Sequence, residues 1–243
     1  MKNTILISGA TSELAINTIL KLNKASTTFV LIYRDKAKFQ KLNSKLKIFY
    51  SYKADYDDNN FQNDFENFLK EKKLLITSCV YFNGTHSFQP IKKISITNLN
   101  NSFNVNVFNF IKLVQSITKS EFSKNLTSII AISSVASKKT SKGISVYSAS
   151  KASLNNFTKS FALELAPKKI RINSIILGHI DAGMGASISK YLNSEQIEHL
   201  KKEHPLGFGN KDDLYHAISF LIDDKKSRWI TGTDFVLDGG YSI

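Results

Sequence analysis

The sequence predicts an α/β protein in which helices cover both faces of a doubly wound parallel sheet. Short apolar segments alternate with longer amphipathic stretches along all 243 residues. The apolar segments lack a polar alternation, which is typical of strands buried on both faces. The length suits one domain, and only three prolines and no internal repeat are present to suggest a linker. We therefore expect a single Rossmann-like domain over residues 1–243, with ligands bound beyond the carboxyl ends of its strands.

The predicted strands recur from the N-terminus to the C-terminus. They are Thr4–Ile7, Phe29–Ile32, Leu46–Phe49, Leu75–Val80, Ser128–Ile132, Ile172–Leu177 and Phe235–Leu237. The clearest helical patterns between them run from Leu14 to Leu22, from Asn98 to Ile117 and from Val146 to Leu165.

The turn after the first strand predicts a site for nucleotide phosphates. Gly9, Thr11 and Ser12 lie between that strand and a helical pattern that includes Leu14. Such a turn presents unpaired backbone N–H groups and the positive end of a helix dipole, which attract a pyrophosphate. Only one of the three glycines expected there is present, so an ordinary strand–turn–helix is the alternative.

A serine, a tyrosine and a lysine form the most informative pattern of the chain. Tyr147 and Lys151 are i and i+4, so on a helix their side chains share one face. A nearby ammonium lowers the pKa of a phenol by charge interaction, and we expect Lys151 to act on Tyr147 in this way. Ser134 follows the predicted strand Ser128–Ile132. Together these groups suit protonation of a carbonyl oxygen while a hydride reaches its carbon. A chance pair on an ordinary helix is the alternative.

These segments resemble the short-chain dehydrogenase/reductase family in its single-domain form. The resemblance covers essentially the whole chain, and its pattern is closest to 3-oxoacyl-acyl-carrier-protein reductases. The matching motifs are Ser8-Gly9 with Leu14, Asn106, Ser134, Tyr147 with Lys151, Arg171-Ile172-Asn173-Ser174 with Gly178, His204-Pro205-Leu206-Gly207, Ile230-Thr231-Gly232-Thr233 and Leu237-Asp238-Gly239-Gly240.

The resemblance implies a catalytic set and a cofactor bed. The implied catalytic residues are Asn106, Ser134, Tyr147 and Lys151. The implied cofactor-binding residues are Gly9, Thr11, Ser12, Leu14, Arg34, Asp55, Asn83, Gly84, Tyr147, Lys151, Gly178 and Ile180. The chain departs from the family pattern at the edges of this bed, where Glu13 and Ala15 replace glycines, Phe82 and Leu177 replace asparagine and proline, and Ala182 replaces a threonine. This pattern favours a working but divergent enzyme.

Arg34 favours NADP(H) over NAD(H) as the cofactor. It follows the second strand directly, where an acidic residue would bind a free ribose hydroxyl and an arginine suits a 2′-phosphate. Asp35 could instead pair with Arg34 and weaken this interpretation.

The formal net charge of +13 arises almost entirely from lysine, because the chain has only three arginines. Scattered lysines indicate a solvated surface rather than nucleic-acid recognition, although they could attract an acidic partner. The histidines show no metal-ligand spacing, so we expect no metal site. Cys79 lies in a predicted strand, no apolar run is long enough to cross a membrane, and the N-terminus enters the first strand directly. We therefore expect a cytoplasmic protein.

The sequence therefore predicts an NADP(H)-dependent oxidoreductase that interconverts a ketone and a secondary alcohol, with a 3-oxoacyl thioester on a carrier protein as one candidate substrate. A sugar or nucleotide-sugar oxidoreductase and a non-catalytic NADP(H)-binding regulator are the alternatives. Residues 181–209, which are flanked by glycines, are expected to form a lid over the substrate. A homo-tetramer is expected because Phe157, Phe161 and Leu165 form an apolar stripe and the last strand would leave an open sheet edge.

Overall fold

The structure is a computed structural model that describes residues 3–56, 58–189 and 192–243. Seven parallel strands form one sheet in the order β3-β2-β1-β4-β5-β6-β7. The strands are β1 Asn3–Ser8, β2 Thr27–Tyr33, β3 Phe49–Lys53, β4 Ser78–Tyr81, β5 Ser128–Ile132, β6 Arg171–Leu177 and β7 Asp234–Leu237. This arrangement confirms the predicted doubly wound parallel sheet.

Helices cover both faces of this sheet. They are α1 Glu13–Leu22, α2 Lys36–Asn43, α3 Phe61–Glu71, α4 Ile96–Phe103, α5 Asn109–Ile117, α6 Ser145–Leu165, α7 Met184–Ser189, α8 Ser194–Lys202, α9 Lys211–Ile222 and α10 Asp224–Ser227. A single π-helical turn, Asn104–Phe108, joins α4 to α5.

The strands alternate their side chains between two hydrophobic cores, one on each face of the sheet. In β1, Leu6 belongs to the core beneath α3, α5 and α6, whereas Ile5 and Ile7 belong to the core beneath α1 and α9. Burial on both faces explains why the central strands are continuous apolar runs. It also fixes the register, because a slip of one residue would exchange the two faces.

The strand order changes direction between β1 and β4, which are hydrogen-bonded neighbours. β2 and β3 lie on one side of this point, and β5, β6 and β7 lie on the other. Connections from these two strands leave toward opposite sides, so a crevice opens beyond their carboxyl ends. Ser8 and Tyr81 are paired at those ends. In open α/β sheets this crevice is where nucleotides bind.

The structure differs from the sequence prediction at two strands: β4 spans Ser78–Tyr81, where the pattern predicted Leu75–Val80, and the third strand is also displaced. β3 spans Phe49–Lys53, whereas the pattern predicted Leu46–Phe49. The ring of Tyr52 packs against Phe65 with centroids 5.2 Å apart, so aromatic packing on α3 fixes the strand three to four residues later than expected. Leu46 instead packs against the opposite core from the preceding loop.

The segment expected to form a lid contains α7 and α8. Residues 190 and 191 of that segment lie outside the described residues. Gly183 and Gly207, near its two ends, have positive φ angles of 56° and 76°, which favour glycine.

Candidate functional site

Ser134, Tyr147 and Lys151 meet where β5 ends. Ser134 lies two residues after the end of the buried strand, and its hydroxyl both accepts a bond from the Ala136 amide at 3.2 Å and bonds to the Tyr147 side chain. Tyr147 and Lys151 share one face of α6, and Nζ of Lys151 donates to the carbonyl oxygen of Ile132 at 2.8 Å. The structure thus brings these three predicted residues together.

Burial governs the electrostatics of this group. Lys151 is only 3% exposed, and burial lowers its pKa to about 8. Burial raises the pKa of Tyr147, and the hydrogen bond from Ser134 opposes that rise only in part. The expectation that Lys151 lowers the pKa of Tyr147 is therefore wrong for the protein by itself. The physical reason is that loss of hydration dominates, while the ammonium is directed to the Ile132 carbonyl.

Asn106 lies in the π-helical turn and is fully buried. Its amide nitrogen donates to Ser150 Oγ at 2.8 Å and to the Thr85 carbonyl at 3.0 Å, and its oxygen accepts from the Thr85 amide at 2.9 Å. Ser150 in turn donates to the Tyr147 carbonyl at 2.7 Å. The extra residue of a π turn, a feature frequent at functional sites, thus lets Asn106 join α6 to the loop after β4.

Beside this group lies a cleft of about 440 Å³ that follows the crevice between β1 and β4. Gly9, Thr11, Ser12, Asn83 and Gly84 line its floor. Ser12 caps α1 by accepting a bond from the Ala15 amide at 3.2 Å, which places the positive end of that helix at the cleft.

Two glycines keep the cleft open. Gly9 has a φ angle of 75°, and a Cβ there would lie 2.6 Å from Oδ1 of Asn83. A Cβ at Gly84 would lie 3.5 Å from Nζ of Lys151, so the cleft reaches the buried ammonium. The backbone bed, the helix N-terminus and the adjacent cation fit an elongated nucleotide with a pyrophosphate.

The far end of the cleft is lined by Arg34, Lys38 and Asp55. The carboxylate of Asp35 caps α2 by accepting from the Lys38 amide at 3.0 Å. It lies 4.0 Å from Nζ of Lys38, and within the described residues no ion pair joins it to Arg34. The structure therefore does not support the alternative in which Asp35 pairs with Arg34. Arg34 and Lys38 thus both place a positive charge beside the predicted ribose site.

A second pocket, of about 250 Å³, lies on the other side of Tyr147. Leu14, Gly178 and Ile180 form its wall toward β6, and Ser134 and Tyr147 present their hydroxyls to it. A Cβ at Gly178 would lie 2.6 Å from Cα of Asp238, so β6 and the C-terminal segment approach too closely there for any side chain. Every residue of the predicted site therefore lines one of the two cavities or, like Lys151 and Asn106, lies directly behind them.

The structure adds residues that sequence reasoning missed. Ser150 and Thr85 hold Asn106, and His86 lines the second pocket with its ring centroid 6.3 Å from that of Tyr147. Lys139, His179, His204 and Tyr241 line the same pocket. Two of these residues had a sequence signal: Ser150 directly precedes Lys151, and His204 belongs to the family motif His204-Pro205-Leu206-Gly207, although the motif did not place it in the pocket.

Across the described residues, no group of three or more His, Cys, Asp or Glu side chains could hold a metal ion. In the same ranges, every helix is too short or too polar to cross a bilayer.

Comparison with known proteins gives a consistent family match. Residues 9–242 match the family model described as Enoyl-(Acyl carrier protein) reductase. The pig protein "Carbonyl reductase [NADPH] 2" is 33% identical over 142 residues, which cover 58% of this chain and 57% of that protein. The human 3-oxoacyl-[acyl-carrier-protein] reductase is 39% identical over 117 residues, covering 48% and 45%. The chain thus spans about half the length of these curated relatives.

Solved structures agree in fold. A 4-hydroxyisoleucine dehydrogenase complexed with NADH superimposes with a TM-score of 0.90 at 24% identity, over 99% of this chain and 98% of that one. A short-chain dehydrogenase/reductase from Serratia marcescens superimposes with a TM-score of 0.86 at 19% identity, again over 99% and 98%. At these identities the likeness concerns the fold alone.

Proposed function

The chain belongs to the short-chain dehydrogenase/reductase family of oxidoreductases, and from that premise we propose that it uses NADP(H) to interconvert a ketone and a secondary alcohol. One observation carries the proposal. A hydroxyl, a phenol and a buried ammonium converge beside a cleft whose floor fits a dinucleotide. A protein that only binds the cofactor has no physical need for that convergence.

Each residue of the group has a part in the proposed reaction. Ser134 donates a hydrogen bond to the carbonyl oxygen of the substrate, and Tyr147 transfers its phenolic proton to that oxygen. In the protein by itself the ammonium of Lys151 is held at the Ile132 carbonyl, and we propose that during the reaction it supplies the positive charge that stabilises the phenolate left behind. Asn106 holds α6 at Ser150, and we infer that it orders a water for proton return to Lys151. NADPH, when bound along Gly9, Thr11, Ser12, Asn83 and Gly84, would supply the hydride.

The proposed function is tested by measuring NADPH and NADH oxidation in parallel with a panel of carbonyl compounds. The panel contains a 3-oxoacyl thioester, a small diketone, a ketose and a nucleotide-linked keto sugar. The expected result is substrate-dependent oxidation of NADPH with at least one of them. Tight NADPH binding without turnover of any compound would favour a non-catalytic regulator instead.

The cofactor preference has its own test, the variant Arg34→Ala. We expect the Kd for NADPH to rise about tenfold to a hundredfold, because a charge-assisted bond to the 2′-phosphate contributes about 1.5–3 kcal/mol. The Kd for NADH should change little, since the ribose hydroxyls lose no partner. Isothermal titration with both cofactors measures this difference.

Lys38→Ala is the matched control for Arg34→Ala. Its ammonium lines the same end of the cleft but lies 4.0 Å from Asp35, so we expect a smaller loss of NADPH affinity. An equal loss of NADPH and NADH affinity in Arg34→Ala would contradict a phosphate contact.

The second pocket constrains the substrate. The pocket has a volume of about 250 Å³, and its wall at Leu14, Gly178 and Ile180 belongs to the predicted cofactor bed. We therefore infer that little of this volume is left for substrate atoms beyond the reacting carbon. Met184 and Leu200 give it an apolar side, and His86 and Lys139 a polar one. We infer that residues 181–209 act as the lid of this pocket. A short 3-oxoacyl group fits it, as does a small hydroxyketone, which keeps the sugar oxidoreductase alternative in the panel.

We also propose a homo-tetramer. Phe157 on α6 is 38% exposed and Ile96 on α4 is 74% exposed, while Val236 on the edge strand β7 is 42% exposed. The predicted stripe of α6 needs a correction, because Leu165 is buried and Phe161 packs on the protein's own core. The surface at α4 and α6 and the sheet edge at β7 nevertheless retain exposed apolar side chains. Open sheet edges are usually covered.

Light scattering at micromolar concentration is expected to give four times the chain mass of 27.3 kDa. Phe157→Lys should reduce this mass to that of a dimer joined through β7, because a charge cannot be buried between two helices without a partner. Val236→Lys should give the other dimer. A monomer mass for the unmodified chain would refute the assembly.

A further inference from the structure

We propose that Glu13 is a positioning residue that anchors the first turn of the lid, Ala182–Met184, to the phosphate-binding turn. Its oxygen Oε2 accepts a hydrogen bond from the Gly183 amide at 2.8 Å, and Oε1 accepts one from Nζ of Lys211 at 2.9 Å. One carboxylate therefore joins α1, the start of the lid and α9. The anchoring contact does not depend on the proposed function, whereas the expected kinetic effect rests on that function.

The contact explains why a carboxylate is tolerated beside a predicted pyrophosphate site. Glu13 is the first residue of α1, at a position where the short-chain dehydrogenase/reductase pattern has glycine. Its two oxygens are turned to Gly183 and Lys211, and the ion pair with Lys211 compensates the charge. The hydrogen bond from Lys211, followed by that from Gly183, lowers the pKa of Glu13, so the carboxylate stays ionised at neutral pH.

The backbone of the lid is shaped to meet this carboxylate. Gly183 has a φ angle of 56°, and a Cβ there would lie 3.9 Å from Cβ of Glu13. Gly183 directly precedes α7, whose first-turn amides have no partner within the helix. Glu13 satisfies the amide at the entrance to that helix from outside.

The anchored segment forms part of the substrate pocket. Ala182 and Met184 flank Gly183 and line that pocket, and so does Leu14, the neighbour of Glu13 in α1. Ala182 occupies the position at which the short-chain dehydrogenase/reductase pattern has a threonine that helps hold the nicotinamide. A side-chain anchor from Glu13 thus fixes the backbone at a place where that threonine is missing.

The second contact of Glu13 is with Lys211 on α9, a helix that other contacts already hold against α1. Asp212, next to Lys211, bonds to Nδ2 of Asn17 at 3.1 Å and to Nζ of Lys21 at 2.8 Å. Both partners are on α1, so α9 stays attached to α1 without Lys211. Lys211 can therefore be removed as a control that leaves the Gly183 bond intact.

The test is amide hydrogen exchange over residues 182–189, measured on the full chain without substrate. Glu13→Ala should increase exchange at Gly183 by about tenfold or more, since a charge-assisted bond is lost. Glu13→Gln keeps an acceptor oxygen and should restore most of the protection. Lys211→Ala should increase exchange at Gly183 less than threefold. Because Glu13 is half exposed, the variants are expected to fold, and thermal melting checks this.

The kinetic arm separates positioning from stability. With a turned-over carbonyl compound, Glu13→Ala should raise KM for that compound and lower kcat, while the Kd for NADPH falls or stays unchanged. Glu13→Gln should recover kcat. Unchanged exchange in Glu13→Ala, or equal effects of Glu13→Ala and Lys211→Ala, would overturn the proposal. Because exchange needs no substrate, a failure of the proposed function alone would leave its result intact.

Discussion

Tyr147→Phe is expected to abolish turnover, with kcat lower by about 10²–10⁴-fold, the usual contribution of a positioned proton donor. The phenylalanine keeps the ring that fills the pocket wall, so only the hydroxyl bonded to Ser134 is lost. The Kd for NADPH should change little, because the phenol contributes a small part of the dinucleotide contacts. Single-turnover NADPH oxidation and cofactor titration measure the two effects separately.

Tyr241→Phe is the matched control. Tyr241 lines the same pocket, and its ring stacks on His204 with centroids 4.5 Å apart. Removing its hydroxyl leaves that stacking in place, so kcat should stay within a few-fold of the unmodified enzyme. Turnover that survives in Tyr147→Phe would show that another group supplies the proton.

The sequence located the strands that are buried on both faces, although β4 begins three residues later than predicted, and it placed the edge strand β3 less well. Ser128–Ile132 is apolar throughout and coincides with β5. β3 at the edge combines Tyr50, Ser51 and Tyr52, and its side chains that reach a core do so only in part. Its position depends on aromatic contacts with α3, which are distant in sequence and invisible to local periodicity.

The same distinction applies to the site. The spacing of Tyr147 and Lys151 follows from helix geometry, and the end of β5 places Ser134 beside them. The partners of Asn106 depend on a π turn that no local pattern predicts. By charge alone a carboxylate at Glu13 is unfavourable beside a pyrophosphate site, and its compensation by Lys211 spans 198 positions, so the sequence does not reveal it. Burial, which sets the pKa values of Tyr147 and Lys151, is likewise a property of the folded chain.

Lys151→Met is expected to abolish turnover and at the same time to stabilise the protein. The thioether side chain has a similar length and fills the same space without a charge. Burial lowers the pKa of Lys151 from 10.5 to about 8, so the charged form destabilises the fold by about 3 kcal/mol at neutral pH. Loss of the bond to the Ile132 carbonyl offsets about 1 kcal/mol of this. Thermal melting should therefore shift upward by about 4–8 °C.

The stabilisation should depend on pH in a defined direction. Because the folded pKa lies below the unfolded one, the unfolded chain binds more protons between about pH 8 and pH 10.5. The unmodified protein therefore gains stability as pH rises through this window, and the difference from Lys151→Met should be largest below pH 8 and shrink above it. Lys159→Met is the control on the same helix, since its half-exposed ammonium pairs with Asp234 at 2.7 Å. It should neither raise the melting temperature nor lower kcat. A melting difference that is independent of pH would show that the ammonium of Lys151 is solvated, and would remove the electrostatic basis of its proposed role beside Tyr147.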